Sequence, residues 1–330
     1  LAEGVRLLTL TGPGGIGKTR LALEVAREAA ANGEEVAFVP LASLQDPAQV
    51  APAIARALEL HRGAGDEEAG LAAALRERRL LLVLDNFEQV LGAAPLLGRL
   101  LAVAPGLRLL VTSRALLRLQ GEYEVPVPPL ALPRAERGSH SLLASVEGSE
   151  AVRLFLARAA AARPGFRLTL ENALAVAEIC YRLDGLPLAI ELAAARVKLF
   201  TPQGLLARLD DRLELLRSDA RDLPERQRTL RATLDWSHAL LSAEEQRLFA
   251  CMGAFVGGAS LDAIEALCPE DCGDPLDTLT SLVDKSLVEQ RELGDEMRLV
   301  MLETVRAYAA ERLAALPDAS KVRAWHAEHY

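Results

Sequence analysis

The pattern of apolar and polar positions changes character along the chain. Up to about residue 130, short apolar runs of strand length alternate with longer segments whose apolar residues recur at helical spacing. Residues 5–11, 34–41, 79–85 and 107–114 read as strands, and residues 20–30, 48–60, 71–78 and 93–104 as helices. The run at 80–84 is apolar at every position, which suits a parallel strand covered on both faces. Residues 123–127 form a shorter run, and Pro126 confines it to a sheet edge. This alternation predicts an α/β domain built on a parallel, doubly wound sheet.

Beyond it the pattern turns helical. Residues 132–148 are rich in Arg, Ser and Gly and read as a mobile linker. Helices are predicted from Ser149 or Glu150 to Ala162, over 171–183 and over 189–199. Gly185 supplies a left-handed stop between the last two and Pro187 the next start. Residues 229–241 read as a helix with Trp236 on its buried side. Ser242 and Glu245 form a capping box for the next helix, and Asp274 caps another through 285. Strands at 286–290 and 297–300 flank Gly294 and Asp295, and a helix follows over 303–316. Helices followed by a two-stranded wing predict a winged-helix domain. The expected organisation is residues 1–132, a linker at 133–148, a helical domain at 149–222 and a winged-helix domain from 223 to 330, opening a further helical region. Leu1 stands almost against the first strand, and Trp325 to Tyr330 read as a running helix. The sequence therefore reads as an excised piece of a longer protein.

Composition narrows the class. Of 330 residues, 51% are hydrophobic and only 4% aromatic, so cores of aliphatic and small side chains are expected. The net charge of -9 gives no general attraction to nucleic acid or anionic membrane. Arg212, Arg217, Arg221, Arg226, Arg228 and Arg231 are interleaved with acids, a self-paired surface that argues against direct DNA binding. Cys180, Cys251, Cys268 and Cys272 complete no zinc set and read as free thiols of a reducing compartment. With no signal peptide or membrane-length apolar run, a cytoplasmic location is expected.

The candidate chemistry begins where the first strand meets the first helix. Gly12-Pro13-Gly14-Gly15-Ile16-Gly17-Lys18-Thr19 has the form G-x-x-x-x-G-K-[ST]. The glycines let backbone N–H groups converge on phosphate oxygens, and the helix start adds partial positive charge. Lys18 is expected on the β- and γ-phosphates and the Thr19 hydroxyl on Mg2+. The nucleotide-binding set is Gly12, Gly14, Gly15, Ile16, Gly17, Lys18, Thr19 and Arg20, with ATP or ADP and Mg2+ as cofactors. Asp85 ends the apolar run at 79–85 and can hold the metal opposite Thr19, the Walker B pattern. Asn86 follows where many hydrolysing sites carry a second acid. It can hydrogen-bond a water but cannot take its proton, and Glu88 is the nearest alternative carboxylate. An ordinary strand-to-helix turn remains an equal reading of residues 86–88. Arg114 can report a γ-phosphate; a surface arginine closing a strand is its alternative.

The set "GPGGIGKT", "LLLVLDN", "LLVTSR" and "GLPLAIELAAAR", in this order, resembles the NB-ARC/STAND class of signalling ATPases. The resemblance is greatest to the nucleotide-binding modules of bacterial transcriptional regulators of the LuxR and SARP type. It implies a P-loop NTPase domain followed by a helical (ARC-like) and a winged-helix domain. It implies that Pro187 packs near base and phosphates, that Arg114 is the sensor arginine, and that an adenine-contacting motif precedes the first strand. Where the family carries a Met-His-Asp motif contacting ADP, this chain has Met301, Leu302 and Glu303, and Arg306 is a candidate substitute. The expected function is an ATP/ADP switch with weak, slow ATPase activity. The resemblance also implies sensor repeats, an effector domain and self-association in the ATP state. A fast-turnover ATPase or kinase and a nucleotide-independent scaffold are the alternatives.

Overall fold

The computed structural model describes residues 4–60, 67–133, 142–209, 229–267, 273–293 and 296–329. They fall into two units, one of residues up to 13 with 17–127, the other of 14–16 with 128 onwards.

The first unit is a five-stranded parallel sheet. Its elements are β1 (Leu7–Thr11), α1 (Lys18–Ala31), β2 (Glu35–Pro40), α2 (Val50–Ala57), α3 (Glu67–Leu75), β3 (Leu80–Asp85), α4 (Ala94–Val103), β4 (Leu107–Thr112) and β5 (Glu122–Pro126). The strand order is β2-β3-β4-β1-β5, and every pairing is parallel. All six residues of β3 are buried, as its unbroken apolarity requires. Alternate side chains feed two cores. Leu7, Leu80, Leu82, Leu84, Leu109 and Val111 pack with residues of α2, α3 and α4. Leu10, Leu81, Val83 and Leu110 pack with Ala22 and Ala26 of α1, where small residues let helix and sheet approach. β5 pairs only with β1, so Pro126 sits at the edge its missing N–H demands. Thr9 and Thr11 hydroxyls donate to Glu122 and Glu124 across that pairing, each at 2.6 Å. The Arg6 guanidinium donates to the Leu101 and Ala104 carbonyls at 2.6 Å, satisfying acceptors that α4 leaves open at its end. Two local expectations shift. The second helix opens as a 3-10 turn, Pro47–Gln49, with Asp46 accepting from the Ala48 N–H. The third begins at Glu67, ahead of its expected start at residue 71.

The second unit contains α5 (Leu142–Glu147), α6 (Glu150–Ala162), α7 (Ala173–Arg182), α8 (Pro187–Ala194) and α9 (Pro202–Leu209). α5 lies within the stretch 132–148 expected as a mobile linker, of which residues 134–141 lie outside the described set. Residues 130–131 are also held: the Leu130 N–H donates to the Gly185 carbonyl at 3.0 Å and the Ala131 N–H to Glu150 at 3.1 Å. Gly185 has φ 67°, and a Cβ there would come 2.4 Å from the Leu130 oxygen, so both conformation and space require glycine. α9 has no counterpart among the expected elements. Pro202 occupies its first turn, where proline is tolerated.

The winged part follows: α10 (Leu230–Ala239), α11 (Ala243–Met252), α12 (Leu261–Leu267), α13 (Pro275–Asp284), β6 (Glu289–Leu293), β7 (Glu296–Val300), α14 (Glu303–Ala314) and α15 (Ala319–His329). β6 and β7 pair antiparallel, and Ala259 bridges Leu299 beside them. Trp236 is only half-buried; Leu230, Thr233, Leu234 and Ser237 form the inner face of α10. The tip of the wing, Cys268, Cys272 and the mixed-charge stretch up to residue 228 lie outside the described residues. Cys180 and Cys251 are buried thiols outside any disulfide, and burial pushes the Cys180 pKa up to about 12. Its thiol therefore stays protonated and inert.

α14 has an unusual start. Leu302 offers it no side-chain cap. Instead Asp184 Oδ2, from the α7–α8 turn, accepts the Thr304 N–H at 2.9 Å and the Thr304 hydroxyl at 3.0 Å. Arg306, expected as a possible nucleotide contact, pairs with Glu303 and donates to the Gly253 carbonyl at 3.2 Å.

Candidate nucleotide site

The site in the first unit grows from β1, the loop after it and the start of α1. Gly12 has φ 136° and Gly17 φ 102°, values that side chains other than glycine's rarely allow. Gly17 is the N-cap of α1, and no side chain caps that helix. No acid stands in its first turn either. Its open N–H groups and partial positive charge are therefore left for an anion.

Lys18, 7% exposed, folds over its own loop and donates to the Gly12 carbonyl at 2.6 Å and the Pro13 carbonyl at 3.1 Å. Its pKa is lowered to about 8, chiefly by burial. Glu88 opposes that shift, Arg114 adds to it and Asp85 opposes it less than Glu88 does. An ammonium under this desolvation gains from an anionic partner.

Asp85 ends β3 with 5% of its surface exposed. Its Oδ1 accepts two hydroxyl hydrogen bonds, from Thr19 at 2.7 Å and from Thr112 at the end of β4 at 2.7 Å. The Asn86 N–H donates to the Thr112 hydroxyl at 2.9 Å, so one short chain of bonds ties the ends of β3 and β4 to α1. Thr112 was not singled out from sequence, although it directly precedes Ser113-Arg114. The donor set fits a hard divalent cation: a hydroxyl and a carboxylate, both oxygen. Two protein oxygens suit Mg2+, which completes its shell with water and phosphate.

Asn86 turns the chain in the left-handed region at φ 63°, ψ 51°, into the 3-10 turn Phe87–Gln89. Glu88 thereby points inward, its side chain only 4% exposed. Its Oε1 lies 3.4 Å from Arg114 Nε, and Asn86 Nδ2 donates to the same oxygen at 3.4 Å. Glu88 Oε2 is buried with no hydrogen-bond partner. The structure thus brings Lys18, Thr19, Asp85, Asn86, Glu88 and Arg114 into one charged cluster. Arg20, counted among the binding residues from sequence, projects from the exposed face of α1.

Within the second unit, the Leu188 N–H donates to the Gly15 carbonyl at 3.2 Å. Gly15 has φ 82°, and a Cβ there would come 2.9 Å from the Leu188 Cβ. Ile16 is buried, Gly14 is half-buried, and Pro187 is half-buried at the first turn of α8.

Residues 2–119 match the AAA domain family, and residues 241–314 match a winged helix-turn-helix domain family. The uncharacterized protein Rv0894 of Mycobacterium tuberculosis is 36% identical over 339 residues, covering 100% of this chain and 82% of that protein. Rv0890c of the same organism, named as an HTH-type transcriptional regulator, is 43% identical over 98% of this chain and 36% of its own length. The regulatory protein AfsR of Streptomyces griseus is 32% identical over 93% of this chain and 30% of its own length. The chain thus spans about a third of the regulators it matches.

Proposed function

The chain belongs to the P-loop ATPase family that includes the mycobacterial protein Rv0894, and from that membership we propose that it is an ATP/ADP-binding switch. It would form the regulatory module of a bacterial signalling protein or transcriptional regulator. The carrying observation is the Thr19–Asp85–Thr112 chain of 2.7 Å hydroxyl–carboxylate bonds standing beside a buried Lys18.

In this reading Lys18 and the uncapped start of α1 bind the phosphates, with Gly12, Gly14, Gly15, Ile16 and Gly17 shaping the cradle. Thr19 and Asp85 would hold Mg2+, which supplies charge neutralisation between the phosphates. Arg114 contacts the γ-phosphate. Asn86 in place of a second acid makes hydrolysis slow, so nucleotide state serves as a signal. ADP and ATP then act through differential affinity for two arrangements of the protein.

The winged helix is read as a moving part and not as a DNA reader. α13 stands where a winged helix presents its reading helix, yet it carries Asp277 and Asp284 and no Lys or Arg. Lys285, just beyond it, is bonded to Glu245. We assign DNA contact and sensing to other domains of the full-length protein, self-association to the ATP state, and a cytoplasmic location. No helix among the described residues is long and apolar enough to cross a membrane.

The test is the nucleotide carried by the purified protein, released by denaturation and identified by chromatography, beside Lys18→Ala. Stoichiometric ADP in the wild type and none in the variant is the expected result. A protein that takes up neither ADP nor ATP–Mg2+ overturns the reading in favour of a scaffold. Turnover above about one per second favours an ordinary catalytic ATPase.

A further inference from the structure

Glu88 is buried in a way that the packing of its own unit does not explain. It follows Asp85 by one tight turn, and that turn is entered through Asn86, a non-glycine residue held in the left-handed region. The side chain is 4% exposed. Its two neighbours on Oε1, Arg114 Nε and Asn86 Nδ2, both stand off at 3.4 Å, the long limit for such contacts. Oε2 has no hydrogen-bond partner. Ionised carboxylates are costly to bury, and an oxygen left without a donor is the costliest way to do it. Of the charged groups acting on the Lys18 ammonium, Glu88 acts most strongly. The open oxygen therefore belongs to a carboxylate whose charge is felt by the lysine of the phosphate loop.

We propose that Glu88 positions and deprotonates the water that attacks the γ-phosphate, and that its contact with Arg114 holds it in reserve until that phosphate arrives. The inference rests on the nucleotide-switch reading and assigns the role that Asn86 cannot fill. The water oxygen forms a bond to the γ-phosphorus. The bond from that phosphorus to the oxygen bridging the β-phosphate breaks, and ADP leaves with the electron pair. The water proton passes to Glu88 Oε2, and the products are ADP and inorganic phosphate. Before nucleotide binds, Arg114 Nε stands 3.4 Å from Glu88 Oε1. A γ-phosphate is the stronger anion and competes for the guanidinium, freeing the carboxylate for water.

The test joins single-turnover ATP hydrolysis, binding of a fluorescent ADP or ATP analogue, and thermal melting without nucleotide. Glu88→Gln is expected to keep nucleotide affinity within about threefold while slowing the hydrolytic step by about 100-fold, the low end for loss of a general base. Glu88→Asp should recover part of that rate. Without nucleotide, Arg114→Ala should lower the melting temperature by stranding the Glu88 charge, and adding Glu88→Gln should restore most of the loss. A Glu88→Gln rate within about threefold of wild type overturns the proposal, as do additive melting shifts. If the wild type binds nucleotide and Glu88→Gln hydrolyses normally, only this inference falls. If neither wild type nor variants bind nucleotide, the switch reading falls with it.

Discussion

Helices α1 and α11 begin under opposite rules. α11 is closed by its own sequence: the Ser242 hydroxyl accepts the Glu245 N–H at 3.2 Å, and the Glu245 carboxylate accepts the Ser242 N–H at 2.7 Å. α1 starts at a left-handed glycine with no side-chain cap and no acid in its first turn. α14 is a third case, uncapped by its own residues but closed by Asp184 from 120 positions away. Four donors at every helix start need partners. Where the chain supplies them, the helix is architecture. Where it withholds them behind a glycine loop and a buried lysine, the start is a binding surface.

That contrast can be broken in graded steps. The largest effect is expected from Asp184→Ala, which leaves the Thr304 N–H and hydroxyl without their acceptor and should cost about 2 kcal/mol in thermal or denaturant unfolding. Asp184→Asn keeps one acceptor and should lose less than half of that. Ser242→Ala removes a local cap and should cost about 1 kcal/mol by the same measurement. Arg20→Glu gives α1 the acid its first turn lacks. It should stabilise the nucleotide-free protein by about 0.5 kcal/mol while weakening nucleotide binding, so stability and affinity should move in opposite directions.

The smallest effect is a pH dependence. Burial raises the Asp184 pKa, opposed by its bonds to the Thr304 and Glu303 backbone and the Thr304 hydroxyl, and reinforced by the nearby Glu303 charge. A carboxyl whose folded pKa lies above its unfolded value stabilises the fold at acid pH and loses that contribution as pH rises through the folded value. Asp184→Asn has no such loss. Its melting temperature should therefore gain on wild type between about pH 4 and neutrality, and a constant difference would place the cost of Asp184 elsewhere.

Much of this was legible in the sequence because the signals are local. The phosphate loop, the apolar run into Asp85, the edge position of Pro126, and the caps at Ser149, Ser242 and Asp274 each depend on residues within a few positions of one another. What escaped depends on distance or on ambiguous residues. Thr112 reaches Asp85 only because β3 and β4 are neighbours in the sheet. Asp184 reads as part of a turn, and nothing near it announces Thr304 as its partner. α5 was hidden by Arg, Ser and Gly that suggest a linker when taken singly. Glu88 was visible as a carboxylate, but its burial follows from the turn that Asn86 makes.

The register of β1 carries a consequence for how the protein is made. This strand, which leads directly into the phosphate loop, pairs Leu7 with Leu109 on one side and with Glu122 on the other. Both of its neighbours are synthesised long after it. During translation, the apolar Leu7-Leu8-Thr9-Leu10 segment waits without a partner while some hundred residues emerge. A nascent chain stopped before β4 would therefore carry every residue of the loop and still lack the scaffold that holds it. β1 can complete its pairings only once residues 107–126 have been made, and until then its edges stay open to other strands.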